Sequence, residues 1–371
     1  MKKLRAAVIG AGFVGRVHIE GLRRLGNVEV YALAVGPHED AARLGAELYV
    51  DRVSRDYRDL LADPAIDAVH VCTPNALHFP IVKAALEAGK HVLCEKPLAM
   101  SVSEAREMVE LARQTGRRNC TFHNLRYYPM VQQARRVREA GELGDILIAQ
   151  GAYSQDWLLY DTDWNWRVAE EGGASRCMAD IGSHWCDAVE HVTGLRITEV
   201  CADLEIFHKT RRRPSGGDAA PIDTDVHTED FGAVMFHMGE RARGMFTASQ
   251  VSAGRKNSFR FEIYGTKAGV AWDGERPDEL WIGRRDAPNQ ILLKDPALML
   301  DAARPYADLP GGHSEGYDDT FKQVFRRFYH SIEHPAAEPE YPQFVDGLRQ
   351  LEILEAELAS HRRRGWVEVN V

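Results

Sequence analysis

The chain predicts a doubly wound, parallel α/β sheet at its N-terminus, followed by a mostly antiparallel α+β domain. Three observations predict this. Short apolar runs alternate with helical spacings as far as residue 123. A glycine motif, Gly10-Ala11-Gly12-Phe13-Val14-Gly15, separates the first run from the first helix. Beyond His123 the strand-like segments lengthen and follow one another with little helix between. The 371 residues suffice for two domains, and a hydrophobic share of 44% supplies a sizeable core. We divide them as residues 1–123 and 124–371.

In order, Ala6-Ala7-Val8-Ile9 is a short run of the buried-strand kind. Phe13 to Leu25 carries Val14, Val17, Leu22 and Leu25 at roughly helical spacing. Val28 to Val35 is a second strand and Ala41 to Leu48 a short helix. Ala68 to Cys72 is a strand ended by Thr73-Pro74-Asn75, and the next helix stops at Gly89. His91-Val92-Leu93-Cys94 is a strand closed by Glu95-Lys96-Pro97. A helix capped near Ser101 or Ser103 and a strand over 118–123 complete the first domain. In the second domain, strands fall at 146–153, 232–238, 242–250 and 259–264. Phe344 to Arg364 is a helix stopped by Gly365.

The formal net charge of −9 argues against nucleic acid or an anionic membrane as partner. The basic run Lys209 to Arg213 leads into Pro214-Ser215-Gly216-Gly217 and reads as a solvated loop. Six cysteines without a Cys-x-x-Cys pair argue against a disulfide framework and a zinc site. No compact ligand pattern such as H-E-x-x-H is present, so no metal is predicted. Neither a signal-peptide pattern nor an apolar run of about 18 residues is found, which predicts a soluble cytoplasmic protein.

The motifs that carry chemistry begin with the glycine turn. Gly10 permits the tight turn, Gly12 lets backbone approach a diphosphate, and Gly15 packs helix on strand. The amides of Phe13, Val14 and Gly15 open the helix, whose N-terminal dipole favours an anion. This context predicts a dinucleotide, NAD or NADP. The acid expected at the end of the second strand is missing, because that stretch reads Ala34-Val35-Gly36-Pro37-His38. Base rates favour NAD, and His38 or Arg43 could meet a 2′-phosphate. Lys96 stands at the carboxyl end of a strand, where such sheets bind ligands, and Pro97 restricts its backbone to extended forms. Asp180 and His184 are four apart and share one face of a helix. A carboxylate beside an imidazole suits general acid–base work. Tyr153, Gln155, Trp157 and Trp164 suit a sugar, which has an apolar ring face and a hydroxyl rim. Asn124 and Arg126, at the start of the second domain, and His313 join them as substrate candidates.

Several of these motifs together resemble the Gfo/Idh/MocA family (glucose–fructose oxidoreductase and inositol dehydrogenase). They are the glycine turn, Cys72-Thr73-Pro74-Asn75-Ala76-Leu77-His78, Glu95-Lys96-Pro97, and Gly172-Gly173 followed by Asp180-Ile181-Gly182-Ser183-His184. The resemblance implies a Rossmann domain and a C-terminal domain whose large open sheet forms a homodimer or homotetramer interface. It implies that Thr73, Pro74, Asn75, His78 and Glu95 contact the cofactor, that Lys96 contacts the nicotinamide ribose region, and that Trp166-Arg167 touches the nicotinamide. The expected reaction is reversible hydride transfer between nicotinamide and a ring carbinol of a sugar, glycoside or cyclic polyol. Lys96, His184 and Asp180 are its catalytic groups, and either Lys96 or His184 is the formal base. Two rival readings are an NAD-dependent glycosidase that oxidises its sugar transiently and a non-catalytic dinucleotide-sensing regulator.

Overall fold

The structure, a computed structural model, describes residues 3–169, 172–215 and 220–370. Gly216 and Gly217 of the expected loop lie outside them. The chain forms two compact units. One joins the residues up to Tyr127 with Tyr317–Leu351, and the other joins Tyr128–Gly316 with Glu352 onward.

In the first unit, strands β1 (Leu4–Ile9), β2 (Val28–Ala34), β3 (Val53–Ser54), β4 (Ala68–Val71), β5 (His91–Cys94) and β6 (Asn119–Thr121) form a sheet in the order β3-β2-β1-β4-β5-β6. Every neighbouring pair is parallel. Ala6, Ala7, Val8, Val69 and Val71 are wholly buried, as strands covered on both faces require. Helices α1 (Phe13–Arg23), α2 (Ala41–Leu48), α3 (Tyr57–Ala62), α4 (His78–Glu87) and α5 (Val102–Thr115) alternate with them. The expected α/β rhythm is present. α2, α3 and α5 are capped by the side chains of Asp40, Asp56 and Ser101.

The expected division after residue 123 differs from these units. The chain returns as α8 (Tyr317–Glu333), which packs on α1 and closes the aromatic core beneath β4. Gly21 on α1 makes room, since a Cβ there would lie 2.9 Å from the Phe325 ring. Apolar residues at helical spacing in Phe321, Val324, Phe325 and Phe328, all wholly buried or nearly so, drive that packing.

The second unit holds α6 (Pro129–Glu139), β7 (Ile146–Ser154), α7 (Ser183–Thr193), β8 (Ile197–Glu205), the hairpin β9 (Thr210–Arg213) and β10 (Ile222–Asp225), β11 (Phe231–Met238), β12 (Ala242–Ser249), β13 (Ser258–Gly265), β14 (Gly269–Asp273), β15 (Glu279–Arg284) and β16 (Ala287–Leu293). The division between the units falls within α9 (Phe344–Arg363), and β17 (Val367–Glu368) ends the chain's strands. Nine of these strands make one sheet, ordered β16-β15-β14-β13-β7-β12-β11-β8-β17. All its pairs are antiparallel except β7 with β12. Helix is more abundant than expected, because α6 and α7 pack against this sheet. Trp185 of α7 stacks on Phe246 at 4.5 Å and donates to the Arg260 carbonyl at 2.9 Å. Gly151 leaves the space, since a Cβ there would sit 2.8 Å from the indole nitrogen. Ile148, Met235 and Met245 are exposed on the other face. No helix among the described residues is long and apolar enough to cross a membrane.

Candidate active site

The sheet of the first unit reverses its order between β1 and β4, and ligands of such sheets bind at the carboxyl ends there. Both turns at that point are adapted for close approach. Gly10 has φ +104°, and a Cβ on it would lie 2.5 Å from the Cys72 carbonyl oxygen. A Cβ on Gly15 would lie 2.0 Å from the Gly10 oxygen, whereas one on Gly12 would meet nothing within 4 Å. Gly10 and Gly15 therefore shape the turn, and Gly12 leaves its approach open. α1 begins at Phe13 with Gly12 as N-cap, no side-chain cap and no acid in its first turn. α2, α3 and α5 receive Asp or Ser oxygens, whereas α1 presents its first amides, at Phe13, Val14 and Gly15, to an outside acceptor. Thr73 Oγ1 is buried without a hydrogen-bond partner among the described residues. This donor set fits a dinucleotide diphosphate.

His78 is wholly buried, with Nδ1 2.8 Å from the Pro97 oxygen and Nε2 2.9 Å from the Thr73 oxygen. It ties the turn of Thr73, Pro74 and Asn75 to the turn that bears Lys96. Asn75 is buried in a single 3₁₀ turn. Lys96 follows β5 and is half-buried. Glu95, expected to contact the cofactor, accepts from His18 at 3.0 Å and from the Lys96 backbone N–H at 3.3 Å. Burial, then Arg126 and Lys96, pull His123 down to about 3, so this imidazole stays neutral.

One acid was not found from sequence. Glu39 folds back on the end of β2 and accepts from the Gly36 amide. The two-residue detour through Pro37 and His38 moves the carboxylate past the position where the usual spacing seeks it. Arg43 pairs with Glu47 at 3.0 Å, and Arg16 with the same carboxylate at 2.5 Å.

Asn124 and Arg126 belong to the first unit, not to the start of the second as expected. Both are buried. Asn124 donates to Thr320 at 2.7 Å, and Arg126 lies 3.6 Å from Asp346. They join the returning segment to the turn that follows β6.

In the second unit, the expected regular helix across Asp180 and His184 is corrected. Met178–Gly182 forms a π-helical turn that leads into α7. Such turns are rare and recur at functional positions. Its start is fixed by Glu229, which accepts from the Ser175 hydroxyl and from the amides of Arg176 and Met178. Neighbouring Asp230 accepts from Arg176 and from Arg211, the latter at 2.8 Å, and all three side chains are fully buried. Asp180 receives Gln250 at 2.9 Å and has Arg167 at 3.5 Å. The Arg167 guanidinium lies 4.4 Å over the Trp166 ring. The structure thus joins an expected cofactor pair to an expected catalytic acid.

His184 is buried, with its ring 6.5 Å from that of Tyr153. Tyr153 donates to Asn257 at 2.7 Å, Gln155 donates to the same oxygen at 2.8 Å, and Trp157 donates to Gln155 at 2.8 Å. Trp157 and Trp164 pack against Leu158, Val168 and Val226. His313 is exposed in the loop before α8, 3.3 Å from the Gly311 oxygen. Gln250 and Asn257 were missed, because lone amides at the ends of β12 and just before β13 carry no motif.

Two family models match. One, described as an oxidoreductase family with NAD-binding Rossmann fold, covers residues 4–123. The other, the GFO/IDH/MocA C-terminal domain, covers residues 131–271. Levoglucosan dehydrogenase of Pseudarthrobacter phenanthrenivorans is 29% identical over 100% of this chain and 99% of its own. D-glucoside 3-dehydrogenase of Escherichia coli is 31% identical over 64% of this chain and 68% of its own. A solved levoglucosan dehydrogenase, in complex with NADH and L-sorbose, superposes with a TM-score of 0.91 at 28% identity, with all of both chains covered.

Proposed function

The chain belongs to the Gfo/Idh/MocA family of NAD-binding oxidoreductases, and from that premise we propose that it reversibly oxidises a ring carbinol of a sugar, glycoside or cyclic polyol. The observation that carries this reading is the polar set of the second unit. It places Asp180 under Arg167 and Gln250, with His184 four residues on beside Tyr153. Relatives named for levoglucosan and for D-glucosides support the substrate class.

The amides at Phe13, Val14 and Gly15 would hold the diphosphate, with Gly12 open to it and Thr73 Oγ1 offering a further bond. Bound NAD supplies the two-electron acceptor for the carbinol hydrogen. His184 takes the hydroxyl proton. Lys96 donates a hydrogen bond to the substrate oxygen as it becomes a carbonyl. Asp180, held by Gln250 and Arg167, orients His184 or a neighbouring hydroxyl. Gln155, Trp157 and Trp164 supply hydroxyl partners and apolar ring faces. The exposed residues Ile148, Met235 and Met245 suit the open sheet to a homo-oligomer contact.

The test is an absorbance screen at the reduced-nicotinamide band, with levoglucosan, glucosides, inositols and free sugars offered with NAD. Stoichiometric NADH with one or more of them is expected. Glycoside cleavage without net NADH would instead make the protein a glycosidase, and no turnover with any of them would sink the substrate class.

A further inference from the structure

Two wholly buried imidazoles in the first unit have no place in the reaction as so far described. β4 is a central strand covered on both faces, where packing alone asks for an aliphatic side chain, yet its third residue is His70. The surroundings are aromatic, with Phe325 at 4.8 Å from the His70 ring and Phe122 at 4.8 Å from that of His18. Burying such polar rings is costly unless each nitrogen is bonded. Each one is. His18 Nε2 meets Glu95 Oε1 at 3.0 Å, His18 Nδ1 meets His70 Nδ1 at 2.9 Å, and His70 Nε2 meets the Tyr329 hydroxyl at 2.9 Å.

The chemistry of the two ends dictates where the protons stand. A carboxylate only accepts, so His18 must donate through Nε2. At the other end the buried Tyr329 hydroxyl has His70 Nε2 as its partner and donates to it, so a neutral His70 must donate through Nδ1, and His18 Nδ1 accepts. Burial pulls the His70 imidazole well below its ordinary value and pushes the Tyr329 phenol well above, so the ring stays neutral and the hydroxyl keeps its proton. Every donor therefore faces Glu95, in one uninterrupted direction across the core. The other oxygen of Glu95 accepts from the Lys96 amide.

We propose that Tyr329, His70 and His18 are positioning residues that fix the Glu95 carboxylate and, through its bond to the Lys96 backbone, aim the Lys96 ammonium at the substrate oxygen. This rests on the catalytic reading of Lys96. A purely structural core would need no functional group at its end.

Imidazole ¹⁵N spectra of the full chain test the direction without turnover. His70 is expected as the Nδ1–H tautomer and His18 as Nε2–H. His70 as Nε2–H overturns the chain. In kinetics, His70→Leu is expected to lower kcat about tenfold, the scale of a slightly misplaced group, with sugar KM and NAD affinity within about twofold. His70→Asn, whose amide can still donate to His18, is expected to restore most of the rate. Equal rates in His70→Leu and wild type overturn the proposal, and so does equal loss in the Leu and Asn variants. Lys96→Met separates the premise. A near-native rate there ends the reading of Lys96 itself. A large loss there with an unaffected His70→Leu leaves Lys96 standing and removes only the positioning chain.

Discussion

The two units fix their working residues with opposite chemistry. The first anchors the Lys96 turn through two imidazole rings, His18 and His70, in an aromatic core. The second anchors the Asp180 turn through buried carboxyl groups, with Glu229 capping it and Asp230 paired with Arg176 and Arg211. A parallel sheet covered on both faces offers little room for solvated charge, so polar groups survive there as neutral donors and acceptors. The second unit's turn starts on backbone amides that a carboxyl oxygen of Glu229 caps, and the neighbouring buried Asp230 carboxylate has two guanidinium groups beside it. The difference teaches that a rigid site can be built with or without buried charge, and that the choice sets its response to pH.

The largest effect expected splits the units by function. Lys96→Met and His184→Ala should each lower kcat by about a hundredfold or more, typical of a positioned proton-transfer or oxyanion group. NAD affinity, measured by titration of the free protein, should survive in His184→Ala, because the glycine turn and Thr73 lie in the first unit. Loss of NAD binding in His184→Ala would break the division of labour. Near-native turnover in both variants would end the mechanism.

Next in size is stability against pH, where the units should slope in opposite directions. His70 is held well below its ordinary value by burial, His91 at about 4 and His123 at about 3, also chiefly by burial. Their folded values are depressed, so the unfolded chain takes up their protons first. Their stabilising contribution is complete above about pH 6.5 and falls by ~1.4 kcal/mol per pH unit for each as the pH drops toward the folded value. In the second unit burial raises Glu229 and raises Glu357 well above the ordinary carboxyl range. Their contribution is complete below about 4.5 and is lost as pH rises toward their folded values. Between about pH 4.5 and 6.5 the slopes therefore oppose. Hydrogen exchange corrected for intrinsic rates should show β4 losing protection on acidification while the central turns of α9 gain it. Parallel slopes in β4 and α9 would break the comparison.

How much of this was legible depends on whether a residue's role is local. The glycine turn, the Thr73 turn and the Lys96 strand end announce themselves, because a tight turn after an apolar run constrains consecutive residues. α8 was missed, although its Phe321, Val324, Phe325 and Phe328 keep helical spacing, because a returning segment has no marker for the unit it rejoins. The π turn at Asp180 was read as α-helix, since one extra residue per turn leaves the apolar pattern almost intact. The partners of Asp180, Tyr153 and Glu95 lie 70, 104 and 77 residues away in sequence, at Gln250, Asn257 and His18. No spacing rule reaches across such distances.

The smallest effect concerns Glu39, and it sharpens the account of the first unit. The end of β2 lies beside the glycine turn, because the Gly10 amide donates to the Ala34 oxygen at 2.8 Å. The Glu39 carboxylate is held at that strand end by the Gly36 amide, while both nearby guanidinium groups, Arg16 and Arg43, are engaged by Glu47. A carboxylate there can accept from a ribose 2′-hydroxyl and repels a 2′-phosphate. Glu39→Gln keeps the shape and removes the repelling charge. At this exposed position the change should shift the NAD-to-NADP ratio of kcat/KM toward NADP by about tenfold or less, since an exposed charge pair is worth ~1 kcal/mol at most. The shift should shrink as salt is raised, because exposed charges are screened within about 8 Å at physiological ionic strength. Raising salt with wild type alone should also shift its NAD-to-NADP ratio toward NADP. An unchanged ratio in Glu39→Gln at low salt would mean that the carboxylate serves only the turn it closes and plays no part in choosing between the two cofactors.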